Sequence, residues 1–377
     1  MSKEPHIFSG GFWRTSVALL GKFILFAVLG AARSTAADWH VVHLPIKSYR
    51  LLAMSVDQDG FIWCGSIHRL VHRYDPRSGE IENIALPYDA NVSACVCVGK
   101  KVYMLGQSYP RLIIFDQAAR KFSEVKYPSE TVDAWYGTEA VDGRHFYVFD
   151  RAAGLVKWDT QADVGRIIPF PYKGPLPGGG RHVAADNALW CSIHDFSGGK
   201  YIPLGIARFD LGKDEFSGHY VFPNRDAALP PFHDAPATLF FPYTLEGKLV
   251  PFDFQEKRWC RPLAVPQYGE RFGFIGLPTI HQRRWYFSIS TYNGTDLGCD
   301  GKPYHFCNAL LEFDPRSQQF DFITLEANDA YYQISYTLSA GGELYATGSN
   351  IREPDGTLNQ ARRGDVIFWQ TKKPERK

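Results

Sequence analysis

Residues 57–66, Asp57-Gln58-Asp59-Gly60-Phe61-Ile62-Trp63-Cys64-Gly65-Ser66, followed by Leu70-Val71-His72-Arg73-Tyr74-Asp75-Pro76-Arg77-Ser78-Gly79, decide how this chain is read. A polar turn opens into an apolar run. A short link leads to a second run that closes on an aromatic residue and Asp, and another polar turn follows. Runs of this length, rich in β-branched and aromatic residues and bounded by Gly, Pro, Asp and Ser, are the pattern of strands in an antiparallel meander. With 51–56 before and 80–87 after, the segment predicts four strands in a row.

The closing aromatic-Asp pair recurs at Tyr74-Asp75, Phe115-Asp116, Trp158-Asp159, Phe209-Asp210, Phe252-Asp253 and Phe313-Asp314, with a degenerate copy at Trp369-Gln370. Successive spacings are 41, 43, 51, 43, 61 and 56 residues. That is the period of a four-stranded blade with loops of variable length, so seven copies predict an all-β, seven-bladed β-propeller of four-stranded antiparallel blades. The second copy predicts strands at 92–98, 101–105, 112–116 and 121–128. Later copies give strand pairs at 145–149 with 155–159, 189–193 with 206–210, 285–289 with 309–314, and 343–347 with 365–369. The fifth copy fits worst. Pro230, Pro231 and Pro236 fall where its inner strand should lie, and proline cannot donate to a central ladder.

The seventh copy lacks a fourth strand, because only a polar tail, 370–377, follows Trp369. The missing pattern lies at the other end: 39–45 reads WHVVHLP and resembles the outer strands that end other copies. Pairing of this segment with 365–369 is therefore expected, closing the ring and covering two sheet edges.

Residues 38–377 read as one propeller domain without a linker. Residues 1–37 are separate: Lys3, Arg14 and Lys22 precede an apolar stretch, 23–32, and the small residues Ser34-Thr35-Ala36-Ala37, as in a secretory signal cleaved near Ala36 or Ala37. The alternative is an uncleaved anchor over about 17–37, against which Lys22 and Arg33 argue, since charges near mid-bilayer are costly. A secreted or periplasmic location follows from the first reading and a membrane-anchored one from the second. Removing Lys3, Arg14, Lys22 and Arg33 together with Glu4 takes the formal net charge from +1 to −2, leaving no basic stripe that would suit nucleic acid. Of seven cysteines, Cys64, Cys95, Cys97, Cys191 and Cys260 fall in expected strands, where free thiols behave as small apolar residues. Cys299 and Cys307 flank a polar loop in the sixth copy, and their spacing suits a loop-closing disulfide. Asn91-Val92-Ser93 and Asn293-Gly294-Thr295 match the glycosylation acceptor pattern.

Loop lengths separate the two faces. First-to-second and third-to-fourth connections are tight and share one face; second-to-third and blade-to-blade connections share the other, which holds the long segments 172–180, 194–205, 224–236, 290–308 and 349–364. Long loops on a rigid scaffold are where binding groups usually reside. The candidate ligand-binding residues at this mouth are Arg50, Trp135, Tyr136, Arg181, His182, His194, Arg271, Tyr331 and Tyr332. Aromatics and arginines around an opening can stack on and charge-pair with a planar, anionic or sugar-like ligand; the alternative is that they fill the channel. No G-x-S-x-G elbow, P-loop or Cys-based zinc motif occurs, so no cofactor and no metal is expected, and no catalytic residue is assigned.

Asp57-x-Asp59-Gly60-x-Ile62-Trp63-x-Gly65-Ser66 with Leu70 and Tyr74-Asp75-Pro76 resembles the blade repeat of virginiamycin B lyase-like propellers and of periplasmic sensor propellers of two-component regulators, and more distantly that of kelch-type blades. The resemblance implies the seven-bladed fold and an extracytoplasmic setting. For the lyases it also implies metal-assisted acid–base chemistry by His and Glu on one face, for which His182, His194 and Glu270 are the available groups. Two functional classes follow: a binding module for a protein, peptide or glycan, and an enzyme of lyase or hydrolase type.

Overall fold

The chain divides into two units, Met1–Asp38 and Trp39–Lys377. The computed structural model describes residues 39–47, 51–66, 69–106, 109–130, 143–150, 153–172, 176–177, 183–195, 202–223, 238–241, 248–266, 279–291, 305–325, 331–352 and 365–371, all in the second unit. Every regular element among them is a strand.

After β1 (Trp39–Lys47), the strands form seven antiparallel sheets in chain order. Blade one is β2 (Leu51–Val56), β3 (Ile62–Ser66), β4 (Leu70–Tyr74) and β5 (Ile81–Ala85). Blade two is β6 (Val92–Val98), β7 (Lys101–Gly106), β8 (Arg111–Asp116) and β9 (Lys121–Lys126). Blade three shows β10 (His145–Asp150), β11 (Gly154–Asp159) and β12 (Val164–Ile168). In blade four, β13 (Leu176–Pro177) and β14 (Val183–Ala185) both pair with β15 (Ala188–Asp195), which is followed by β16 (Ile202–Asp210) and β17 (Glu215–Val221). Blade five has β18 (Thr238–Phe241) and β19 (Lys248–Asp253), whose other edge carries both β20 (Arg258–Trp259) and β21 (Leu263–Ala264). Blade six is β22 (Thr279–His281), β23 (Arg284–Thr291), β24 (His305–Asp314) and β25 (Gln319–Thr324). Blade seven is β26 (Tyr331–Ala340), β27 (Glu343–Arg352) and β28 (Asp365–Thr371), completed by β1. The expectation of four strands per blade is thus corrected at blade four, where the inner position is split between β13 and β14. In blades three and five the segments expected to supply the inner strand, 131–142 and 224–237 with Pro230, Pro231 and Pro236, lie outside the described residues.

The aromatic-Asp signature has a local cause. Asp116 Oδ1 accepts from the N–H groups of Ala118 and Ala119, and Asp159, Asp210 and Asp253 accept in the same way from the second and third residues after them. This Asx-turn closes the hairpin from third to fourth strand. Four residues beyond each Asp the backbone is left-handed, at Gly79, Arg120, Asp163, Asp214, Lys257 and Gln318. The last copy carries Gln370 in place of Asp because no turn follows it: its fourth strand arrives from the N-terminus, with Trp39 opposite Thr371, His40 opposite Gln370 and Val41 opposite Trp369.

The aromatic partner of each Asp is buried between blades. Phe115 meets Trp63 of blade one at 5.6 Å, Phe209 meets Tyr147 of blade three at 5.9 Å, and Phe252 meets Trp190 of blade four at 5.5 Å. At the closing seam Tyr74 of blade one packs with Tyr345 of blade seven, and its hydroxyl donates to Gln370 Oε1 at 3.2 Å. Gly65 lets blade two approach, since a Cβ there would lie 2.8 Å from the Val92 carbonyl oxygen. The core is therefore a series of flat seams, each buried by its two neighbouring sheets.

Candidate functional site

The two faces differ as the loop lengths predict. On one, first-to-second turns are two-residue reversals such as Asp186-Asn187, Gln282-Arg283 and Gly341-Gly342, all at positive φ. On the other, the second-to-third hairpins of blades four, six and seven run far beyond those of blades one and two. β15 and β16 have eight and nine residues, β23 and β24 eight and ten, and β27 and β28 ten and seven, against five each for β3 and β4. At about 3.3 Å per residue, ten residues span about twice the height of five. Tyr331 pairs with Arg352, and Asp195 with Ile202, at the far ends of these extensions.

Of the nine mouth residues, Arg50, Trp135, Tyr136, Arg181, His182 and Arg271 lie outside the described residues, as do Glu270, Cys299 and Asn293. Tyr331 and Tyr332 begin β26, and only their backbone is described. The same holds for Cys307 in β24. His194 was expected in a loop; it lies in β15, between Leu176 of β13 and Pro203 of β16, and is 6% exposed. The five remaining cysteines are free, and all but Cys97 are buried. Cys260 follows β20 rather than lying in a strand.

The described part of the loop-rich face carries groups that the sequence reading passed over. Tyr88, in the link from blade one to blade two, stands 6.3 Å from Tyr109, in the second-to-third link of blade two. The Tyr109 hydroxyl donates to Glu124 at 2.6 Å, and Arg111 pairs with the same carboxylate at 2.8 Å. Desolvation and the Glu124 charge push the Tyr109 hydroxyl up to about 12, so it remains a donor at neutral pH. Beside them Arg69 pairs with Asp89 at 2.7 Å, and Asn91 is exposed. A tyrosine pair flanked by arginine–carboxylate pairs is a surface of the kind found in protein interfaces. The spacing of Tyr88, Asp89 and Asn91 after a Pro-terminated strand was the available signal.

One buried row in blade one has the outline of a nucleophile, base and orienter. His72 Nε2 lies 3.1 Å from Ser66 Oγ and its Nδ1 lies 2.9 Å from Asn83 Oδ1. Ser66 and His72 have no exposed surface, and the Ser66 hydroxyl donates to the Leu70 carbonyl at 2.8 Å. With its proton committed there and no route for a substrate, Ser66 ties strands together and does not attack. Asp57, opening the Asp57-x-Asp59-Gly60 spacing, is likewise saturated: its carboxylate accepts from Asp59 N, Phe61 N and Trp63 Nε1 at 2.8–3.0 Å. Among the described residues no three His, Cys, Asp or Glu side chains gather as metal ligands.

No family model matches the chain, and no curated protein sequence matches it. Solved structures do. A streptogramin B lyase aligns with 89% of this chain and 99% of its own length at 14% identity, with a TM-score of 0.59. YCF48 bound to D1 peptide aligns with 90% of this chain and 96% of its own at 10% identity, TM-score 0.60. BamB from Moraxella catarrhalis aligns with 87% and 84% at 12% identity, TM-score 0.52. What they share with this chain is the seven-bladed propeller. That propeller carries a lyase in one case and a bound peptide in another, so the fold leaves the activity open.

Proposed function

We propose that this protein is a secreted or periplasmic binding module that holds a protein, peptide or glycan on its loop-rich face. The observation that carries the reading is the one-sided extension of the β15–β16, β23–β24 and β27–β28 hairpins. Ring closure does not need that height, because blades one and two close their seams with shorter strands. The Tyr88 and Tyr109 surface with its arginines supports the same face, and so does the peptide carried by YCF48. Under this reading residues 1–37 are an export signal, or an anchor if retained, and Cys299 and Cys307 close the blade-six insert as a disulfide. Arg50, Trp135, Tyr136, Arg181, His182, Arg271, Tyr331 and Tyr332 line the contact surface, with the buried His194 beneath it.

The test is paired binding and melting. A ligand is first obtained by screening the mature chain against peptide and glycan arrays. Trp135→Ala and Arg271→Ala should each weaken that ligand by about 1 to 3 kcal/mol while leaving the melting temperature nearly unchanged. Lost stability with intact binding would mean that these side chains fill the channel. The lyase reading gains only if the wild-type chain turns over quinupristin and His182→Ala or Glu270→Gln abolishes that turnover.

A further inference from the structure

Three sulfur-bearing side chains share one side of blade two. Cys95 and Cys97 are two apart on β6, and alternation along the strand turns both toward blade one, whereas Ala94 and Val96 face blade three. The two thiols are in hydrogen-bonding contact. Met104 stands directly across the ladder from Cys95, in the same cluster. Apart from Met1, Met54 is the only other methionine in the sequence, and it too pairs with a cysteine, Cys64. Among the described cysteines Cys97 alone is half-buried as a residue.

The usual account of a strand cysteine is that it packs as a small apolar residue. That account covers Cys191 and Cys260, each in a different seam. It does not explain two thiols in contact beside a thioether. We propose that Cys95, Cys97 and Met104 form a three-sulfur binding site for one soft monovalent cation of the Cu(I) or Ag(I) class. Thiolate and thioether donors select such ions over hard or borderline ones. A structural zinc site would need four ligands, and the described residues offer no fourth. Two residues of strand span about 6.6 Å, longer than a relaxed disulfide favours, so a bridging metal suits the pair better than a direct sulfur–sulfur bond. Ser55, on the inner strand of blade one, supplies the outer support: its oxygen accepts from Cys97 N at 3.1 Å, and its hydroxyl bonds to the Cys97 sulfur.

Binding would break two S–H bonds, form two metal–thiolate bonds and one metal–thioether bond, and release two protons to solvent, with no change in the oxidation state of the metal. Because two protons leave for each ion bound, affinity should rise with pH.

The experiment titrates the reduced, mature chain without oxygen, using Cu(I) in competition with bicinchoninate and Ag(I) as a redox-inert control. The expected result is one ion per chain with two protons released. Cys97→Ser should lower affinity about 100-fold and Met104→Leu, which preserves volume, about 10-fold. A Cys95→Ser/Cys97→Ser double variant that binds as tightly as the wild type overturns the proposal, because the ion then sits elsewhere. So does an unchanged affinity in Met104→Leu. Should Cys95→Ser fail to fold, the Cys97→Ser and Met104→Leu variants, checked by melting without metal, decide alone.

Discussion

Asp163 sits at φ 50°, where glycine would avoid a backbone cost of about 1 kcal/mol. Its carboxylate explains why another residue stands there. It accepts from Lys101 Nζ at 2.7 Å and from the Tyr103 hydroxyl at 3.0 Å, both in the preceding blade. Asp214, the equivalent residue one blade on, reaches back to Lys157 at 3.1 Å and to Arg166, and Arg120 one blade earlier reaches back to Glu82. At Arg120, Asp163 and Asp214 the left-handed turn position thus carries a polar link across the seam, and local strain is offset by contacts between blades. Asp163→Asn keeps the backbone preference and removes the charge. It should destabilise by about 1 kcal/mol after allowance for partial exposure, read as a lower urea midpoint at unchanged slope. In combination with Tyr103→Phe the loss should be less than additive; strict additivity would show that the two side chains do not act together.

Strand existence was legible because it rests on apolar periodicity, and strand ends were not where that periodicity stops. β6 was bounded correctly at 92–98, but β15 extends through His194 and Asp195, β23 through Ser290 and Thr291, and β24 begins at His305. These additions are mostly polar, and ladder hydrogen bonds form without regard to side chain once two strands are in register. The candidate site shares this blindness, since Arg50, Trp135, Arg181 and Arg271 stand beyond the last periodic residue of their segments. Buried polar rows are hidden for a related reason: His72, Ser66 and Asn83 occupy three different strands and meet only through cross-strand register. Burial holds the His72 ring below its ordinary value, while Asn83 partly opposes the shift. The unfolded chain therefore takes up a proton near pH 6.5 that the folded chain refuses, and stability falls with pH from about 6.5 down to the lowered folded value. Wild type should lose stability relative to His72→Gln over that window, by at most about 1.4 kcal/mol per pH unit. Parallel stability curves for the two proteins between pH 7.5 and pH 5 would reject a neutral His72 as the link between β3, β4 and β5.

At the scale of the ring, one strand is out of sequence order, and its contacts say why that order is dispensable. β1 pairs with β28 as β25 pairs with β24 and β9 with β8, antiparallel and on the outer edge, so the sheet geometry is that of a hairpin with its turn removed. Gln370, where an Asp would begin that turn, instead accepts from Tyr74 and donates to Glu343, tying blade one to blade seven. A solenoid of stacked sheets gains from closure because no terminal sheet is left with an uncovered face. The arrangement predicts that closure depends on the presence of β1 and not on which terminus delivers it. Deleting residues 38–46 should expose the β28 edge and cause aggregation. A circular permutant that begins at residue 48, and carries residues 40–47 after Gln370 through a four-residue turn copied from residues 315–318, should fold and melt within a few degrees of the parent. If the permutant aggregates as the deletion does, the N-terminal position of β1 contributes to folding itself, through early pairing or through the segment before it, and closure by an interchangeable outer strand is wrong.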